Sequence, residues 1–465
     1  MNKTRIESDL LGELEVPTSA YYGVQTQRAI DNFKISGKYL ADYPEFVKAL
    51  AVVKLGAAEA NYELGLLSEE IFNAISFASN ELIKGKYVTD FPIDMLQGGA
   101  GTSTNMNANE VIANVALEFM GKEKGDYQFC SPNDHVNLSQ STNDAYPSAL
   151  KVALFEMNKS LLDALAMLQL SFEKKAKEFE QIIKMGRTQL QDAVPMTLGQ
   201  EFEGFAYTLF KEIANLKRAT KELLVINMGA TAIGTGLNAV PGYAQLCTKK
   251  IATIMQEEVL LADNLVEATS DTSAFVEYSS AMKRLSIKLS KICNDLRLLT
   301  SGPRTGLFEV NLPPKQPGSS IMPGKVNPVI PEVVNQVCFK VIGNDTAISF
   351  GAEAGQLQLN VMEPMIGFAL MESIELLTNA MNTLRIECID GITANAEHLK
   401  QEVQNSIGIV TALNPHIGYK ASTKIAKEAL ETGGSVYQLV LDKGLLSKEK
   451  LDEILDPKNM LGPHV

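Results

Sequence analysis

Histidine and cysteine are scarce in this chain, and their placement excludes several kinds of chemistry. Of 465 residues four are histidine (His135, His398, His416 and His464), with no HxH or HExxH spacing among them, so a histidine-built metal site is not expected. The five cysteines (Cys130, Cys247, Cys293, Cys338 and Cys388) are far apart and form no CxxC pair. That argues against a disulfide framework or a zinc knuckle and for buried, reduced thiols. Basic clusters are missing as well: 42 Lys and Arg against 55 Asp and Glu leave a net charge of −13, with no patch that could neutralise several phosphates. Nucleic acid is therefore not an expected partner.

The start, MNKTRIESDLLGELEVP, carries Glu7, Asp9, Glu13 and Glu15 where an export signal would need an apolar stretch, and a cytoplasmic protein is expected. The longest uncharged run, Leu223 to Thr248, contains four Gly, two Asn and Pro241, so no membrane span is expected. Internal repeats and low-complexity segments are absent. Gly234-Thr-Gly236 lacks the third glycine of a dinucleotide fingerprint and follows a helical pattern rather than a strand. Gly318 and Gly324 are separated by five residues where a P-loop needs four, and Val326 stands where the Mg-binding hydroxyl would be. Ser280 and Lys283 have SxxK spacing but fall inside a helical pattern, where an exposed face explains them.

What the chain does contain is helical period. From Pro147, a favoured first-turn residue, to Glu180 there is neither Gly nor a second Pro, and Leu150, Leu154, Met157, Leu161, Leu165, Leu168, Phe172, Ala176 and Phe179 recur at steps of three and four, which predicts one long helix. A second helix is predicted from an N-cap at Ser270, with Phe275, Tyr278, Met282, Leu285, Leu289, Ile292, Leu296 and Leu299 on a coiled-coil seam. A third is predicted over 196–226 and a fourth over 359–389. Four such rods imply an all-α, elongated bundle whose apolar stripes favour self-association. Composition shifts divide the chain into three domains: a mainly helical 1–140, the long-helix bundle 141–392, and a small helical 393–465.

Three loop-like segments interrupt the rods and concentrate small hydroxyl and amide residues: GGAGTSTNMN (98–107), SQSTND (139–144) and GSSIMPGKVNP (318–328). Each alone could be a helix cap. Together they suggest carboxylate or phosphate cradles, because helix N-termini with hydroxyl and amide donors bind anions.

GSSIMPGKVNP strongly resembles the signature loop of the fumarase/aspartase superfamily, and GGAGTSTNMNANE (98–110) and SQSTNDAYP (139–147) look like its other two regions. The resemblance runs from AYYGVQTQRAIDNF to SIGIVTALNPHIGY, nearly the whole chain. KMGRTQLQDAVPMTLGQEF (184–202) and AEAGQLQLNVMEP (352–364) are similar to the aspartase versions of these regions, and Gln189 stands where fumarases of the superfamily carry histidine. The resemblance implies a tetrameric helical core whose sites draw the three regions from three subunits. It also implies reversible deamination of L-aspartate to fumarate and ammonia, with fumarate hydratase or another superfamily lyase as the alternative activity, and an inactive structural relative as the alternative from another class.

Such a reaction removes a proton from C3 and passes through a doubly charged aci-carboxylate, which fixed donors must stabilise. By resemblance, Thr102, Ser141 and Thr142, aided by Ser320, hold that carboxylate. Lys325, Thr188 and Asn327 hold the other one, and Asn143 and Gln189 accept from the ammonium. Ser319 is the base, its alkoxide stabilised by backbone N–H groups and Lys325. No cofactor is implied; a divalent cation such as Mg activates some aspartases, and nothing in the sequence spells its ligands.

Overall fold

The computed structural model describes residues 3–460, so His464 lies outside the described residues. Helices carry the fold, and the strands occur as four two-stranded pairs. Near the N-terminus β1 (Thr4–Asp9) and β2 (Gly12–Pro17) form an antiparallel hairpin, followed by α1 (Val24–Asn32), α2 (Pro44–Glu63), α3 (Glu69–Ile83) and α4 (Thr102–Phe119). Local chemistry sets these starts. Pro44 occupies the first turn of α2, and Ser68 caps α3 by accepting the Ile71 N–H.

Five long helices form the bundle: α5 (Thr142–Glu178), α6 (Leu198–Ala219) and, after the short α7 (Thr231–Gly234), α8 (Tyr243–Met255) and α9 (Leu265–Ser270), the rods α10 (Ser273–Leu299), α11 (Val329–Glu353) and α12 (Glu363–Glu387). At 37 residues α5 is about 55 Å long. The periodic residues do face inward: every apolar member of the predicted α10 seam from Phe275 to Leu299 is buried.

Several predicted boundaries move. The second rod begins at Ser273 rather than Ser270, because Ser270 ends α9 and the Asp271 carboxylate accepts the Ser273 N–H and hydroxyl instead. The third rod is shorter at both ends. Met196 and Thr197 close β4 (Gln191–Thr197), which pairs with β3 (Ile183–Thr188), and Val225–Ile226 is β5, parallel to β6 (Leu260–Leu261). Helix α11 was not predicted, because Pro328 and Pro331 flank its start and Gly343 and Gly351 interrupt its pattern. Beyond the bundle, β7 (Val310–Asn311) pairs with β8 (Thr393–Ala394), and α13 (Ala396–Asn405) leads into shorter helices.

The chain forms two compact units, to which each of the five long helices contributes residues on both sides of a unit boundary. Unit one comprises 1–162, 214–284 and 340–377. Its bundle contacts include Tyr278 donating to Asn158 Oδ1 (2.9 Å), Ser279 donating to Asp345 (2.8 Å) and Leu150 against Gly367, where a Cβ would come within 2.8 Å. Unit two comprises 163–213, 285–339 and 378–465, with Phe172, Phe179, Phe202 and Phe205 packed ring to ring and Asn335 Nδ2 donating to Ser290 Oγ (2.8 Å). All five cysteines are free and buried. Lys283 of the SxxK pattern is ion-paired with Asp345 at 2.8 Å, and Ser280 is exposed. Among the described residues no helix is long and apolar enough to cross a membrane.

Candidate active site

Thr102, Ser141, Thr142 and Asn143 lie at two helix starts in unit one. Gly101 (φ +88°) precedes α4 and packs so closely on the Tyr146 ring that a Cβ would sit 2.4 Å from it; glycine is required on both counts. Thr102, exposed, opens α4 and donates to the Gly99 carbonyl (2.7 Å). Ser141 caps α5: its Oγ accepts the Asn143 N–H (3.2 Å), and the Asp144 carboxylate accepts the Ser141 N–H in return (2.9 Å). The two starts are joined by Asn105 Nδ2 donating to Thr142 Oγ1 (3.3 Å).

Pro147 does not begin α5; it lies inside it, five residues past Thr142. Having no N–H, it releases the Asn143 carbonyl from its helical hydrogen bond. Asn227 Nδ2 supplies the missing donor at 3.0 Å, and the Asn143 side-chain amide donates to the Ala232 carbonyl (2.7 Å), where the backbone is left-handed (φ +59°). Asn143 is thus held at both ends, while among the described residues no side chain donates to its Oδ1, the kind of acceptor an ammonium needs.

Beneath this start lies a group that the sequence reading did not single out. Lys54 is completely buried, and its Nζ donates to Asn105 Oδ1 (2.7 Å), Asn137 Oδ1 (3.0 Å) and Gln140 Oε1 (2.9 Å). Burial pushes its ammonium down to about 7, against the pull of Asp144. Burial pushes the Asp144 carboxyl up to about 6, opposed by N–H groups of Ser141 and Gly229. The signal was present: Lys54 is the lone charge within ALAVVKLGAA (49–58).

In unit two, Thr188 and Gln189 stand exposed at the tip of the β3–β4 hairpin. Thr188 pairs with Gln191, leaving Gln189 (φ +54°) and Leu190 (φ +63°) as a two-residue turn with both members left-handed. Such turns normally carry Asn, Asp or Gly; two side chains without that freedom make this one strained.

Ser319, Ser320, Lys325 and Asn327 share the 318–328 loop of the same unit. The Gly318 N–H donates to the Lys325 carbonyl (2.7 Å), and Asn327 Nδ2 donates to the Gly318 carbonyl (2.9 Å), closing the loop on itself. A Cβ at Gly318 would lie 2.7 Å from that Lys325 oxygen, so no other residue fits. Inside the loop Ser319 Oγ accepts two backbone N–H groups, from Ile321 (3.2 Å) and Met322 (3.0 Å). The same atoms would stabilise an alkoxide there. Ser319 and Lys325 line a cleft of about 500 Å³, while Ser320 is exposed. Among the described residues no hydrogen bond joins this loop to the hairpin tip, and no cluster of three or more His, Cys, Asp or Glu side chains is arranged to hold a metal ion.

The sequence profile of the lyase family matches residues 12–343, and that of the fumarase C C-terminus matches 409–462. The chain is 57% identical to the aspartate ammonia-lyase of Helicobacter pylori over 460 residues, covering 99% of this chain and 98% of the relative. It is 58% identical to that of Pseudomonas canavaninivorans over 462 residues, covering 99% and 98%. A crystal structure described as a fumarate lyase:delta crystallin from Brucella melitensis bound to cobalt superposes with a TM-score of 0.97 at 51% identity, covering 99% of this chain and 100% of that one. An all-α fold built on a long helical bundle, the closed GSSIMPGKVNP loop and full-length likeness to aspartate ammonia-lyases agree, and the chain belongs to the lyase family of the fumarase/aspartase superfamily, on its aspartase branch.

Proposed function

We infer that this chain is a carbon–nitrogen lyase that deaminates L-aspartate reversibly to fumarate and ammonia. The observation that carries the reading is the cradle at Ser319, where two N–H groups meet the one oxygen the reaction needs as a base. The serine hydroxyl is a poor base on its own; these donors and Lys325 in the same cleft favour its alkoxide. Ser319 takes the C3 proton. Thr102, Ser141 and Thr142, with Ser320, hold the carboxylate that gains the second charge. Lys325, Thr188 and Asn327 hold the other carboxylate, with Asn327 also closing the loop. Asn143 and Gln189 accept from the ammonium as the C2–N bond breaks.

These residues come from three stretches of the sequence, 102–143, 188–189 and 319–327. We propose that they meet in a homotetramer whose sites are shared between subunits. Apolar side chains left exposed on the rods, including Tyr207, Phe210, Phe339 and Phe350, support such an assembly. The functional division remains 1–140, 141–392 and 393–465, with all five rods in the central part. The enzyme works in the cytoplasm, needs no organic cofactor, and is open to activation by Mg.

The test is fumarate absorbance from L-aspartate, run beside L-malate, argininosuccinate and adenylosuccinate. Turnover of aspartate alone is expected. Malate turnover without aspartate turnover would make the chain a hydratase, and no turnover of any would make it a structural relative.

A further inference from the structure

Glu309 is fully buried between two cations and takes no part in the chemistry above. Its Oε2 is 2.5 Å from Lys184 Nζ, and its Oε1 accepts from Arg187 Nη1. Lys184 reaches on to Glu201 at 2.7 Å, and Arg187 to Glu402 at 3.5 Å. A buried ion cluster is weak evidence for stability, since desolvation offsets attraction; fixing geometry is its better-supported use. The geometry fixed here is that of a hairpin. Lys184 and Arg187 both belong to β3, on either side of a bulge at Gly186, and Thr188 and Gln189 follow directly.

Glu309 is itself a stationary post. Its N–H donates to the Leu299 carbonyl, and its carbonyl accepts the Asn395 N–H, each at 2.9 Å. Next to it Val310 pairs with Ala394, Pro313 lies against Gly391, and Lys315 pairs with Glu387 at 2.5 Å. The strained Gln189-Leu190 turn needs such a rigid base, because strain persists only where the surroundings over-determine it.

We propose that Glu309 is a positioning residue for the deamination: by holding Arg187 and Lys184 it fixes the β3–β4 hairpin so that Gln189 is presented to the substrate ammonium. This rests on the role given to Gln189 above. Glu309→Gln keeps the shape and removes the charge that holds the fork. In the folded, assembled enzyme kcat/KM for L-aspartate is expected to fall about ten- to a hundredfold, the scale of an ångström of misplacement. In a Gln189→Ala background the same change is expected to cost less than about threefold more, because the group it positions is gone. A purely structural residue would give additive losses. Additive losses, or unchanged kcat/KM in folded Glu309→Gln, overturn the proposal. If Glu309→Gln does not fold, Arg187→Lys, which keeps the charge and the Lys184–Glu309 pair, is put through the same cycle with the same criteria. A Gln189→Ala enzyme with wild-type kcat/KM refutes the Gln189 reading itself, and the inference with it; an impaired Gln189→Ala with additive losses refutes only the inference.

Discussion

Replacing Ser319 by alanine separates chemistry from architecture. The substitution deletes one oxygen, which in the proposed reaction accepts the C3 proton. A positioned general base is worth about 10² to 10⁴ in rate, or about 3 to 5 kcal/mol of barrier. The structural cost is much smaller. The Ile321 and Met322 N–H groups lose their acceptor, but they sit in a loop whose Ile321 side chain is 84% exposed, so water replaces it. At about 0.5 to 1.5 kcal/mol net for each hydrogen bond, taken at the low end because both N–H groups reach water, the loss is about 1 kcal/mol. That lowers the melting midpoint by about 2 to 4 °C or less for a chain larger than 250 residues. The loop closure through Gly318, Lys325 and Asn327 does not involve Oγ and remains. Turnover is read from fumarate absorbance, analogue binding by calorimetry, and assembly by light scattering. The expected enzyme is assembled, binds the analogue and turns over at less than a hundredth of the wild-type rate. Turnover above about a tenth would exclude Ser319 as the base, and a large loss of melting temperature would show that the hydroxyl holds the loop.

Lys325→Ala is expected to raise KM for L-aspartate and lower kcat together, since it removes the charge proposed to hold a carboxylate before and during reaction; steady-state kinetics with both unchanged would refute the assignment. Asn327→Ala is expected to do the same more mildly. Gln189→His should keep aspartate deamination with a new pH dependence: below about 6.5 the imidazolium repels the ammonium, and above it the neutral ring accepts again, so activity recovers as pH rises. Loss at every pH in a rate profile would show that Gln189 does more than accept, and malate dehydration is not expected to appear. Asn227→Ala leaves the carbonyl of Asn143 without its donor and should cost about 1 to 3 kcal/mol of stability and raise KM; a wild-type melting curve and KM would show that water takes the place of the Asn227 amide.

The rods were legible because burial along a helix repeats at 3.6 residues, and the α10 seam proved buried from Phe275 to Leu299. Helix starts were harder. Pro147 read as a first-turn residue, yet α5 begins five residues earlier, because a contact from Asn227 satisfies the carbonyl that the proline frees, 84 residues away at Asn143. The β3–β4 hairpin was invisible for a related reason: its tip, Gln189-Leu190, has none of the turn residues that would announce it. At the candidate site, the loop residues stood out by their motif. Lys54 and Glu309 did not, since a lone charge in sequence acquires its meaning only when the fold brings three amide oxygens or two cations to it.

The double tethering of Asn143 bears on how such an enzyme is redesigned. Its carbonyl is held by Asn227 and its side-chain amide by Ala232, so the side-chain oxygen proposed to meet the substrate is aimed by a distant stretch of chain. A graft of 139–147 taken from another enzyme would arrive without its mounts unless 227–232 travelled with it. The two stretches are therefore a single cassette for engineering, and libraries that vary 143 while holding 227 and 232 constant sample side chains on a bracket built for asparagine.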